Sequence, residues 1–129
     1  MTHLPRQHPD LLRRFVATPY VFIKLNGADQ IAIESNDLEI ALNVRNSGAV
    51  QRQANRAGGL FCRLIRDVAG PVDGSETSII SDGVLRILLL GRGTILIHDH
   101  EKSELLGFVS RNVSAQDLAS SLIPAVLGT

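Results

Sequence analysis

The chain has 129 residues, 44% of them hydrophobic, and its 13 basic side chains balance its 13 acidic ones. Leu, Ile and Val number 39, with four Phe besides, far above the roughly 20% typical of disordered chains, so intrinsic disorder is excluded for most of the length and one folded domain with its own core is expected. Zero net charge and a pI of 6.9 exclude a strongly basic nucleic-acid binder, and the absence of Trp with only one Tyr argues against a stacking platform for single strands.

Cys62 is the only cysteine, so neither an internal disulfide nor a thiolate metal cluster is available. The N-terminus lacks the apolar stretch of a signal peptide. No apolar run approaches the ~20 residues that cross a bilayer. The expectation is a cytoplasmic protein with no transmembrane segment.

Residues 1–19 form an N-terminal helical segment in this reading, and 20–129 a single α+β domain. Pro9 suits a first helical turn, Leu11, Leu12, Phe15 and Val16 fall at helical spacing, and Pro19 ends the run. From Tyr20 the period changes to two. Val21, Ile23 and Leu25 predict one strand, Ile31 and Ile33 a second, with Asn26-Gly27-Ala28-Asp29 as the turn. After Asn36-Asp37, the alternation of Leu38, Ile40, Leu42 and Val44 predicts a third strand, and the three together an antiparallel meander.

Val50, Ala54 and Ala57 sit at helical spacing between Asn46-Ser47-Gly48 and Gly58-Gly59, which favours a short helix. Leu60 to Ile65 is a strand. Residues 69–76, with Gly70-Pro71 and Asp73-Gly74, are a surface loop and the best place for mobility. Residues 77–110 divide into four short strands at Ser81-Asp82-Gly83, Gly91-Arg92-Gly93 and Glu101-Lys102-Ser103. Ser114 is a helix N-cap, Asp117 sits in the first turn, and Leu118, Ala119, Leu122, Ile123 and Val126 make one apolar stripe. Pro124 should kink or end that helix near Ile123. The expected fold is α+β: an antiparallel sheet or partly closed barrel of six to eight strands, with a short N-terminal helix and a C-terminal amphipathic helix. In order of elements this layout resembles the pleckstrin-homology superfold.

Two constellations carry possible chemistry. In His98-Asp99-His100 a strand would place both imidazoles on one face, where they suit a divalent metal with Glu104 as third ligand. Gly93 to Gly107 resembles part of the first cupin motif, with its His-x-His, three-residue gap and Glu. Its glycines are displaced from their usual places, and no histidine follows His100 to build a second motif. The bland reading of the same residues is a solvated hairpin tip. The second constellation is charge asymmetry. Residues 45–66 hold five arginines and no acid until Asp67, whereas Asp29, Glu34, Asp37 and Glu39 crowd the segment before them. On a helix Arg52 and Arg56 would share a face, where like charges cost roughly 0.2–0.5 kcal/mol. An anion or phospholipid held by Arg52 and Arg56 would offset that, as would ion pairs with Glu34, Asp37 or Glu39.

Gly91-Arg92-Gly93-Thr94 lacks the spacing of a phosphate loop and reads as a hairpin turn. Cys62 lies in an apolar strand, and no serine sits in a nucleophile elbow. With no catalytic residue assigned, the leading expectation is a non-catalytic binding or self-assembly module. It needs no cofactor and takes a second copy or another protein as partner. The alternatives are a metal-dependent small-molecule enzyme or sensor, and an anion-binding module.

Overall fold

A computed structural model describes residues 22–27 and 30–128. Among these, seven strands form one open sheet: β1 (Ile23–Asn26), β2 (Ile31–Ser35), β3 (Leu60–Asp67), β4 (Thr77–Asp82), β5 (Leu85–Leu90), β6 (Thr94–Asp99) and β7 (Glu104–Ser110). The strands lie side by side in the order β1-β2-β3-β7-β6-β5-β4. The helical segment expected before residue 20 lies outside the described residues.

The sheet is mixed and open, which corrects the expected antiparallel sheet or partly closed barrel. β2 runs parallel to β3, and β3 parallel to β7. The other neighbours are antiparallel. The cause is local. Residues 38–45 are not a third strand but a helix, α1 (Leu38–Arg45), followed by α2 (Gly48–Ala57). The period of two was coincidental. Ile40, Ala41 and Val44 are the buried positions, an i, i+1, i+4 stripe, while Leu38 is exposed. The Asp37 carboxylate caps the helix, accepting from the N–H groups of Glu39 at 2.9 Å and Ile40 at 3.3 Å. A helical crossover returns the chain to the end of the sheet where β2 began, so β3 must be parallel to it.

After β3 the chain crosses to the far edge and comes back inward through three hairpins, so that β7 closes against β3. Residues 68–76 make that crossing along one end of the sheet, and the crossing is anchored rather than loose. Asp73 is buried. Its carboxylate accepts from Gly93 N at 2.6 Å and from the Thr94 hydroxyl, while its backbone exchanges bonds with the Asn112 side chain. Pro71 O accepts from the Ser110 hydroxyl. A Cβ on Gly93 would lie 2.5 Å from Pro71 O, so only glycine lets the loop approach this turn.

The C-terminal helix α3 has three segments: a first turn Ala115–Asp117, a π-helical stretch Leu118–Leu122, and a last segment Ile123–Leu127. Ser114 is its N-cap, accepting from Asp117 N at 3.0 Å. Pro124 does not end this helix. Ile123 N–H reaches back to Leu118 O, and this wide turn opens the bond ladder where the proline ring would strike the preceding turn. The three helices and one sheet face enclose the main core, with Ile40, Val50, Leu64, Leu96, Leu105, Leu118, Ile123 and Val126 within it. On the opposite face Ile65, Ile87, Ile95, Ile97 and Phe108 form a second cluster, with Phe22, Leu85 and Leu89 packed on it.

Candidate functional site

The β6–β7 hairpin carries the histidine pair. His98 opposes Arg86 on β5 and Leu105 on β7, and its side chain enters the helix-covered face with Leu105. It is fully buried, and neither ring nitrogen has a hydrogen-bond partner among the described residues. Burial pushes its imidazole down to about 4, with the neighbouring His100 charge as the next cause. His98 is therefore neutral at ordinary pH. The His100 ring lies 4.0 Å from it, centroid to centroid, at 59°. Between them Asp99 turns outward, and its carboxylate accepts from Glu101 N and Lys102 N, both at 3.0 Å, which shapes the tip.

His100 borders an open depression of about 320 Å³ whose other walls are Gln53, Arg56, Ala57 and Leu127. The end of α2, the end of β6 and the last turn of α3 thus meet at one place. Gln53 is buried, and its Oε1 accepts from the Arg56 guanidinium at 3.0 Å. Arg86, across the ladder from His98, donates to Val126 O and Ala125 O, both at 3.0 Å, and so closes the carbonyl end of α3.

Arg52 and Arg56 stand one turn apart on α2 and line different depressions. Arg56 belongs to the histidine depression, and Arg52 to another of about 410 Å³ between the α1–α2 corner and α3. Neither forms an ion pair among the described residues. The neighbouring acids are used by other arginines. Arg63 binds Glu34 through two nitrogens, at 2.6 and 3.0 Å, and packs beside the Phe22 and Phe61 rings. Arg66 binds Asp37 at 3.0 Å and the carbonyls of Ser110 and Val113. It thereby ties the ends of β2, β3 and β7 together. Sequence alone could not assign these pairs, because the partners are 29 to 47 residues apart.

Glu104 opposes Asp99 in the ladder, one residue out of phase with His98, and so lies on the other sheet face. Among the described residues no three His, Cys, Asp or Glu side chains come together as a metal-binding group. Cys62 is buried in the core, and burial pushes its thiol up to about 12, which leaves it unreactive.

The apolar stripe of α3 is spent in the core: Leu118, Ile123 and Val126 are fully buried. The sheet ends in β1 on one side and β4 on the other, and among the described residues no strand pairs with the outer side of β4. Ile79 is 43% exposed and Ile80 41%, one on each face, and Val84 at the adjoining turn is 42% exposed. Gly91 N donates to Glu76 O. With the register of β4 on β5, that bond places Ser78 and Ile80 in the hydrogen-bonded pairs. The backbone N–H and C=O groups of Thr77, Ile79 and Ser81 therefore point outward, along the sheet edge.

In comparisons with known proteins, no family model, curated protein or solved structure matches this chain. Among the described residues no helix is long and apolar enough to cross a membrane.

Proposed function

We propose that this protein is a non-catalytic self-assembly module that pairs with a second copy through the edge of β4. The observation that supports the reading is the outer edge of β4, with which no strand pairs among the described residues. Strand edges are ordinarily guarded by Lys, Pro, bulges or a covering element. β4 reads Thr77-Ser78-Ile79-Ile80-Ser81-Asp82, with no basic residue and no proline. Its sequence also suits a two-fold axis. Antiparallel pairing centred on Ile79 sets Ile79 against its own copy and Thr77 against Ser81. It brings the two Ile80 side chains into diagonal contact on the opposite face. Such a pair satisfies the outward backbone groups and covers apolar surface on both faces at once.

The test is the mass of the full chain by sedimentation equilibrium between low and high micromolar concentration. Wild type is expected to be dimeric. Ile79→Pro removes one outward N–H without touching the bonds to β5, so it should give a folded monomer with an unchanged far-ultraviolet spectrum. A wild type that stays monomeric at high micromolar concentration, or an Ile79→Pro protein that still dimerises, overturns the proposal.

A further inference from the structure

The depression beside the histidine pair is independent of the β4 edge and has the makings of a ligand site. Among the described residues its one permanently charged side chain is the cationic Arg56. Arg56 has no carboxylate partner among the described residues, and the buried Gln53 holds its guanidinium at the rim. A guanidinium placed in this way presents a fork of N–H donors already oriented. His100 adds an imidazole, a further hydrogen-bonding group, to the lining. Behind it the fully buried His98 keeps two ring nitrogens without partners, an arrangement native interiors rarely leave unused. Among the described residues no Asp or Glu lines the depression. Of the two acids that flank His100, Asp99 turns its carboxylate to the backbone of the hairpin tip, and Glu101 is exposed and is not among the residues lining the depression. The carbonyls of Ala125 and Val126, which would favour a cation, are taken by Arg86.

We infer that the depression bounded by Gln53, Arg56, Ala57, His100 and Leu127 binds a small oxyanion, a phosphate or carboxylate group, between the Arg56 fork and the His100 imidazole. A cavity of about 320 Å³ is at the small end of known ligand sites, which suits a compact anionic group. Arg52 takes no part in this site, since it lines the other depression.

The experiment is a nuclear magnetic resonance titration of the full chain at pH 7, read at the His100 ring and the Arg56 Nε–H. The probes are sodium phosphate, sodium acetate, and phosphatidylcholine vesicles with and without phosphatidylserine, each against sodium chloride at matched ionic strength. A saturable response to phosphate or acetate that chloride does not produce is expected. Arg56→Gln should weaken it by at least about tenfold, and Arg52→Gln should leave it unchanged. The same variant pattern with the serine-containing vesicles alone would support the site and identify its anion as a lipid headgroup. No saturable response to any of these probes overturns the inference. Equal weakening by both variants also overturns it, because diffuse surface charge would then explain the binding. A third overturning result is stoichiometric zinc binding that His100→Gln abolishes, without phosphate or acetate binding, which would make the pair a metal site.

Discussion

His98 is an ionisable side chain placed where only its neutral form is comfortable. Its imidazole sits near 4 in the folded chain and near 6.5 when exposed. Above pH 6.5 neither state takes up the proton, and stability is unaffected. As pH falls from about 6.5 to about 4, the unfolded chain binds a proton that the folded chain refuses, so stability declines. By pH 4 the loss is on the order of 3 kcal/mol. In urea melts from pH 7.5 to 4, His98→Leu should show a shallower decline and, at pH 7, stability equal to or above wild type. Parallel pH profiles for the two proteins would disprove this account of His98. Asp73 works in the opposite sense, as a buried polar group that is fully used. Asp73→Ala removes the acceptor of the Gly93 N–H and the partner of the Thr94 hydroxyl. A cost of about 3 kcal/mol is expected, with faster protease cleavage inside residues 68–76. Wild-type cleavage kinetics in the variant would show that the crossing does not depend on its carboxylate.

Among elements, β7 holds the sheet together because it joins the parallel half to the antiparallel meander. Gly107 sits at its middle, opposite Leu96 on β6 and Leu64 on β3. A Cβ there would come within 2.5 Å of Leu96 Cδ2 and 2.7 Å of Ile95 O. The carbonyl belongs to the sheet and cannot swing aside. Gly107→Ala should therefore destabilise by about 3 kcal/mol, and a thermal midpoint within a degree of wild type would contradict that packing. α3 shows the reverse, an element that absorbs an awkward residue. Its π-helical stretch just before Pro124 keeps Val126 and Leu127 buried, where a helix broken at the proline would not. The helix continues because its apolar stripe has core to cover on both sides of the proline.

At the scale of the whole molecule, the three helices pack on one face of the sheet, and among the described residues no strand pairs with the outer edge of β4. Assembly through that edge would make stability depend on protein concentration, since a dimer is favoured by mass action. The thermal midpoint of wild type should fall on tenfold dilution, whereas that of Ile79→Pro should not move. Equal midpoints at both concentrations for wild type would argue against β4 pairing under those conditions. The anion site and the β4 edge use different residues, so loss of one function should leave the other intact.

The features legible in the sequence are those set by neighbours in the chain. Ser114 caps α3, Ser47 caps α2, and the turns at Gly91-Arg92-Gly93 and Glu101-Lys102-Ser103 divide the last strands where the composition changes. Caps and tight turns depend on a few adjacent dihedrals, so local composition is enough to specify them. The Leu38–Val44 alternation misled because a seven-residue run satisfies both periods, and only burial against β1 and β2 selects the helix. That choice made β3 parallel to β2 and replaced the expected antiparallel meander with a mixed sheet. Tertiary structure alone decided that Glu34 and Asp37 would pair with Arg63 and Arg66, that His98 would be sealed in the core, and that Arg56 and His100 would line one depression. Each of these depends on which strands become neighbours, and strand neighbours are settled by long-range packing, in which every local pattern must find room at once.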